Sequence, residues 1–110
     1  MPNPKYVKGV NFERAVVKHL RDLDVIAYRS AGSHGPADVI AIYCGNVWLI
    51  QCKTNGKISK KERDKLCAEA RQAGCPPVLA FKSGPGVIQF NRLWRDMIGE
   101  EWEPGREREQ

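Results

Sequence analysis

The spacing of apolar residues changes several times along the chain, and each change marks an element. From Gly9 to Leu23, Phe12, Val16, Leu20 and Leu23 recur at intervals of 4, 4 and 3, one stripe of a helix with Asn11 as its N-cap. Val25 to Arg29 is a short β-prone run, and Ser30 to Pro36 (SAGSHGP) reads as a loop. Ala37 to Tyr43 (ADVIAIY) and Val47 to Thr54 (VWLIQCKT) give the strongest strand signals, with Gly45-Asn46 between them as a two-residue hairpin turn. Ser59-Lys60-Lys61-Glu62 fits a capping box and opens a second helix, with Leu66, Ala70 and Ala73 on one face. That helix stops at Gly74 before Pro76-Pro77. Val78 to Lys82 and Val87 to Phe90 are further strands around Ser83-Gly84-Pro85-Gly86, and Arg92 to Ile98 reads as a short helix. The predicted order is α-β-β-β-α-β-β: an α/β domain with a mixed central β-sheet flanked by helices. The strand from Val78 follows a helical crossover, so it is expected to run parallel to an earlier strand.

With 110 residues, the chain holds one domain, since domains commonly run to roughly 100–150 residues. Residues 1–8 hold two prolines and read as a flexible N-terminal arm; residues 9–99 form the domain, and residues 100–110 (EEWEPGREREQ) an acidic, mobile tail. The tail carries −3, which leaves +8 on the first 99 residues, a balance that attracts polyanions, nucleic acid foremost. No apolar run approaches the ~20 residues of a membrane span, and the N-terminal stretch has no apolar core of a secretory signal. Cysteines 44, 52, 67 and 75 form no C-x-x-C pair, and His19 and His34 complete no zinc spacing. Free thiols in a reducing, cytoplasmic setting are the expectation.

The hairpin register decides which side chains meet. A Gly45-Asn46 turn pairs Cys44 with Val47, so Asp38 faces Lys53 and Ile40 faces Gln51. Asp38, Gln51 and Lys53 then share one face at the open end of the hairpin. Val39, Ala41, Trp48, Ile50 and Cys52 form the opposite, apolar face, and a slip of one residue would break the grouping.

Asp38, a hydrophobic strand and then Gln51-Cys52-Lys53 resemble the PD-(D/E)XK nuclease motif. Lys8-Gly9 before Phe12-Glu13-Arg14, the segment Tyr28-Arg29-Ser30-Ala31-Gly32-Ser33, the strand Asp38-Val39-Ile40-Ala41 and the strand Pro77 to Lys82 resemble archaeal-type Holliday junction resolvases as an ordered series over roughly residues 8–90. The resemblance implies a restriction-endonuclease-like fold, a structure-selective endodeoxyribonuclease that resolves four-way DNA junctions by paired symmetric nicks, and a C2 homodimer that presents two copies of one site. It implies a site of Glu13, Asp38, Gln51 and Lys53, with Asp38, Gln51 and Glu13 holding Mg²⁺, or Mn²⁺ in its place. Ser30 and Arg29 match positions near the scissile phosphate.

Gln51 departs from the family pattern, which has Glu there, and removes one unit of ligand charge. A working neutral ligand, a domain that binds junctions without cutting, and an engineered Glu-to-Gln substitution all fit this departure. Another nuclease of the superfamily, acting in restriction or repair, fits the shorter motif. Phosphate contacts are expected from Arg14, Arg29, Ser33, His34, Lys57, Lys60 and Lys61, the last three clustered where helix N–H groups also favour anions.

Overall fold

A computed structural model describes residues 4–30, 35–94 and 98–104, the first three of them as backbone only. Helix α1 spans Pro4–Asp22. It starts earlier than its apolar stripe, because a proline in the first turn lacks only an N–H that has no intrahelical partner there. Residues 4–8 are therefore helix rather than a loose arm, and Asn11 lies mid-helix, exposed, and caps nothing. Phe12, Val16 and Leu20 are buried as the stripe predicts. Leu23 is 44% exposed, because the chain leaves the helix through a left-handed Asp24 (φ 62°) and Val25 takes the next buried slot.

The remaining elements are β1 (Ile26–Arg29), β2 (Val39–Tyr43), β3 (Asn46–Cys52), α2 (Lys60–Ala73), β4 (Pro77–Gly84), β5 (Val87–Leu93) and β6 (Ile98–Glu101). They form one six-stranded sheet in chain order. All pairings are antiparallel except β3 with β4, which α2 joins as a parallel crossover. Helix α2 begins with the anticipated capping box: Ser59 accepts from the Glu62 N–H, and the Glu62 carboxylate accepts from the Ser59 N–H, each at 3.1 Å. It ends at a left-handed Gly74.

The sheet has two cores. Against α1 lie Val39, Ala41, Trp48, Ile50, Val78 and Ala80; against α2 lie Ala37, Leu49, Leu79 and Leu93, meeting Leu66, Cys67 and Ala70. None of the four cysteines is in a disulfide, and Cys67 is buried in the second core.

The hairpin register differs from the one the sequence suggests. The two loop residues are Cys44 (φ 50°) and Gly45 (φ 82°), the left-handed pair of a type I′ turn, and Tyr43 pairs with Asn46. Ile40 therefore faces Leu49 rather than Gln51. The slip along β3 is two residues, an even number, so every β3 side chain stays on its expected face.

The C-terminal end also differs. Arg92 and Leu93 finish β5, and Ile98 opens β6, so no helix spans 92–98; residues 95–97 lie outside the described residues. Glu100 and Glu101, expected in a mobile tail, belong to β6. Pairing with β5 and the bond from Asn91 Nδ2 to the Gly99 carbonyl (2.8 Å) hold that strand. Trp102 follows, buried against Trp48 (ring centroids 4.9 Å) and edge-on to Phe90 (5.4 Å), so the folded unit extends past residue 99. Phe90 and Leu93 are buried in the core.

Candidate active site

The sheet opens where β2 starts and β3 ends. Asp38 stands one residue before β2. Its N–H donates to the Ile50 carbonyl (2.8 Å), and Ile50 is also the cross-strand partner of Val39. Two residues thus stand against one, a bulge-like start that re-aims the aspartate, so simple alternation does not place it. Its carboxylate instead accepts the Cys52 N–H at 2.9 Å, a donor left without a β2 carbonyl where that strand begins. The Asp38–Lys53 pairing expected from a Gly45-Asn46 turn is not formed.

Gln51, on β3, and Lys53, one residue past its end, both reach the α2 side. Gln51 is the only buried polar residue among the described ones, at 6% exposure. Its Nε2 donates to Glu62 Oε2 at 3.2 Å, and its Oε1 is buried with no hydrogen-bond partner. Lys53 Nζ donates to the same Glu62 oxygen at 2.5 Å. On the α1 side, Glu13 accepts from Arg29 Nε at 3.1 Å. The two faces meet electrostatically at Asp38. Burial pushes its carboxyl up and the Cys52 N–H opposes the rise; Glu13 and Glu62 push it further and Lys53 draws it down. Asp38 thus feels the charges of Glu13, Lys53 and Glu62. The hydrogen bond from Lys53 holds the Glu62 carboxyl below the usual carboxylate range. Burial pushes the Cys52 thiol well up, with Asp38 and Glu13 adding to it, so the cysteine inside the motif stays protonated and is no nucleophile.

The oxygens here suit a hard divalent cation. A buried amide oxygen without a donor, near an aspartate with one oxygen committed to Cys52, is a donor set for Mg²⁺ or Mn²⁺. Among the described residues, no three His, Cys, Asp or Glu side chains cluster as a ready metal cage, so such an ion would keep much of its coordination for water and phosphate oxygens.

The other anticipated residues are dispersed. Ser30 turns its hydroxyl to the Ala37 carbonyl and its N–H to the Asp38 carbonyl (3.0 Å), bracing the two ends of the 30–37 loop. Ser33 and His34 lie outside the described residues. Arg14, Lys57, Lys60 and Lys61 are exposed, and Lys60 pairs with Asp64 (2.9 Å) along α2.

Three residues were missed. Glu62 read only as a helix cap, since nothing in its spacing announces a contact back to β3. Lys8 and Lys82 line a groove of about 610 Å³ between α1 and the β3–β4 end, next to Thr54, which follows Lys53. Their membership of motif segments was the available signal. A cavity of about 670 Å³ at the far end of α2 touches none of the site residues.

An acid at the start of one strand and a Q-x-K pair at the end of the next, on a mixed sheet between two helices, is a PD-(D/E)XK nuclease arrangement with an amide in one acid's place. The family described as "Archaeal holliday junction resolvase (hjc)" matches residues 4–100. The chain belongs to this family. It is 39% identical over 91 residues to the crossover junction endodeoxyribonuclease Hjc of Methanocaldococcus jannaschii, spanning 79% of this chain and 68% of that protein. The 1.6 Å structure of Archaeoglobus fulgidus Hjc, a Holliday junction resolvase from an archaeal hyperthermophile, superposes with a TM-score of 0.65 at 26% identity, over 76% of this chain and 70% of that one.

Proposed function

We propose that this chain is a divalent-metal-dependent endodeoxyribonuclease that resolves four-way DNA junctions by paired, symmetric nicks. What supports this reading is that Asp38 accepts the N–H of Cys52, the residue between Gln51 and Lys53, at the open end of the sheet in a chain of the resolvase family. Asp38 and the unpartnered Gln51 Oε1 would hold Mg²⁺, with Mn²⁺ as a substitute. Bound there, the ion would polarise a phosphoryl oxygen and make hydroxide available near neutral pH. Lys53 supplies positive charge where the phosphorane becomes more negative. Glu13 holds Arg29 by an ion pair at the edge of the same site, where the guanidinium can meet a phosphate. Lys8 and Lys82 in the adjoining groove, and Lys57 and Lys61 before and within the first turn of α2, extend that positive track along a DNA backbone.

Two nicks placed symmetrically call for two sites related by a two-fold axis, hence a homodimer. Ile26, Tyr28 and Ile42 are exposed on neighbouring strands β1 and β2 and offer an apolar strip for it. No helix among the described residues is long and apolar enough to cross a membrane, and a junction resolvase would work where chromosomal DNA lies, inside the cell.

Labelled four-way junction, flap and linear duplex, each incubated with Mg²⁺, Mn²⁺ or EDTA, test the reading. Metal-dependent nicks at symmetric positions on the junction, with duplex uncut, are expected. Equal cutting of duplex and flap would point to another nuclease of the superfamily, and tight junction binding without nicks to a silent binding domain. Binding itself should weaken steeply with salt.

A further inference from the structure

Residue 51 carries no charge, yet the position it occupies is not without a carboxylate. Glu62 Oε2 lies 3.2 Å from the Gln51 amide and 2.5 Å from the Lys53 ammonium, bridging the two residues of the Q-x-K pair. It comes from a different element, the first turn of α2, nine residues beyond Lys53. Its orientation is fixed: Oε1 accepts the Ser59 N–H as half of the capping box, which turns Oε2 toward β3. Beside it the Gln51 carbonyl oxygen is buried without any donor, an arrangement that is unfavourable in a folded protein unless a cation or water completes it.

We infer that Glu62 supplies the carboxylate ligand that Gln51 lacks, so that the divalent-cation site of this chain is built from Asp38, the Gln51 carbonyl and a helix-borne glutamate. The inference rests on the nuclease reading for the purpose of the site, but cation binding is measurable without cleavage. An acid on β3 would compete with Glu62 for the same ammonium and crowd a second negative charge against it. The amide avoids both, and donates to Glu62 instead. Glu62 also neutralises Lys53, whose ammonium would otherwise repel an entering cation.

Two roles for Glu62 must be separated: ligand, and counter-charge to Lys53. Mn²⁺ affinity measured by titration calorimetry, with no DNA present, is compared for the native chain, Glu62→Gln, Lys53→Met and the Lys53→Met/Glu62→Gln pair. Gln at the third helical position keeps the capping box, so Glu62→Gln should fold, and its melting temperature checks this. Glu62→Gln is expected to weaken Mn²⁺ roughly tenfold or more, since site affinity follows ligand charge, and to do so equally in the Lys53→Met background. Restoring a strand acid in Gln51→Glu/Glu62→Gln should recover most of the loss. Anomalous diffraction from Mn²⁺-soaked crystals should place the ion on Glu62. An unchanged affinity on Glu62→Gln, a loss that vanishes in the Lys53→Met background, or an ion bound without Glu62 would each overturn the inference and leave the nuclease reading standing. A native chain that binds no Mn²⁺ overturns the inference, junction nicking being the separate test of the nuclease reading, and one that binds Mn²⁺ through Glu62 but nicks no junction overturns only the function.

Discussion

On the α1 side of the sheet, Val39, Ala41, Ile50, Val78 and Ala80 meet Phe12, Val16 and Leu20, all apolar and all buried. On the α2 side the same strands carry Leu49 and Leu79 to a core of their own, but β3 then continues into Gln51 and Lys53, set against Glu62. The first side gains about 25 cal/mol for each Å² of apolar surface it removes from water. The second gives some of that up: a buried oxygen without a donor, and nearby an aspartate whose charge burial opposes. Stability and reactivity are thus separated by distance along the strands, and a substitution in the α1-side core should lower stability with little effect on reactivity.

The largest effect is expected from Trp102→Ala. Truncating this buried ring against Trp48 and Phe90 should cost about 3–5 kcal/mol in a urea melt, while nicking by the folded fraction stays as in the native chain. A loss of nicking without a loss of stability would break the separation.

Asp38→Asn should act the other way. Junction nicking should fall on the order of 10³-fold, with junction affinity retained. The fold should become more stable, because the amide oxygen still accepts the Cys52 N–H without a charge to desolvate. The sign can be sharpened by pH. The Asp38 carboxyl is raised in the folded state, so ionisation disfavours folding at neutral pH. The advantage of Asp38→Asn should shrink as pH falls through the folded pKa and vanish below the ordinary value of 3.8. Glu62 is lowered, so its contribution is present above 4.5 and is lost as pH falls from there through its folded pKa. Urea melts of native, Asp38→Asn and Glu62→Gln chains across that range check both directions.

The smallest effect is expected from Ser59→Ala, about 1 kcal/mol for a lost N-cap, read in the same melts.

How much of this was legible depends on the range of the interaction. Alternation in β3 and the even slip of the hairpin left its two faces as the sequence implied. The capping box and the Gly74 stop are local and were readable. The turn itself was not, because it asks Cys44 for a left-handed backbone that nothing in its side chain announces. Pro4 read as a breaker although a first turn tolerates proline. The strand Ile98–Glu101 carries one apolar residue in four, too little for a periodic signal, and exists because β5 and Trp102 hold it. Asp38 and Lys53 entered the candidate site through the family pattern, and Glu13 and Arg29 form an ion pair beside it. Glu62 escaped because one of its oxygens satisfied the local rule while the other answered a contact that only the folded chain creates.

The indoles of Trp48 and Trp102 lie 31° apart in plane at near-contact separation. Chromophores so placed couple their strong far-ultraviolet transitions, which should give the chain an intrinsic optical gauge: an exciton couplet in its dichroism that reports whether the last strand is seated, independently of whether any DNA is bound or cut.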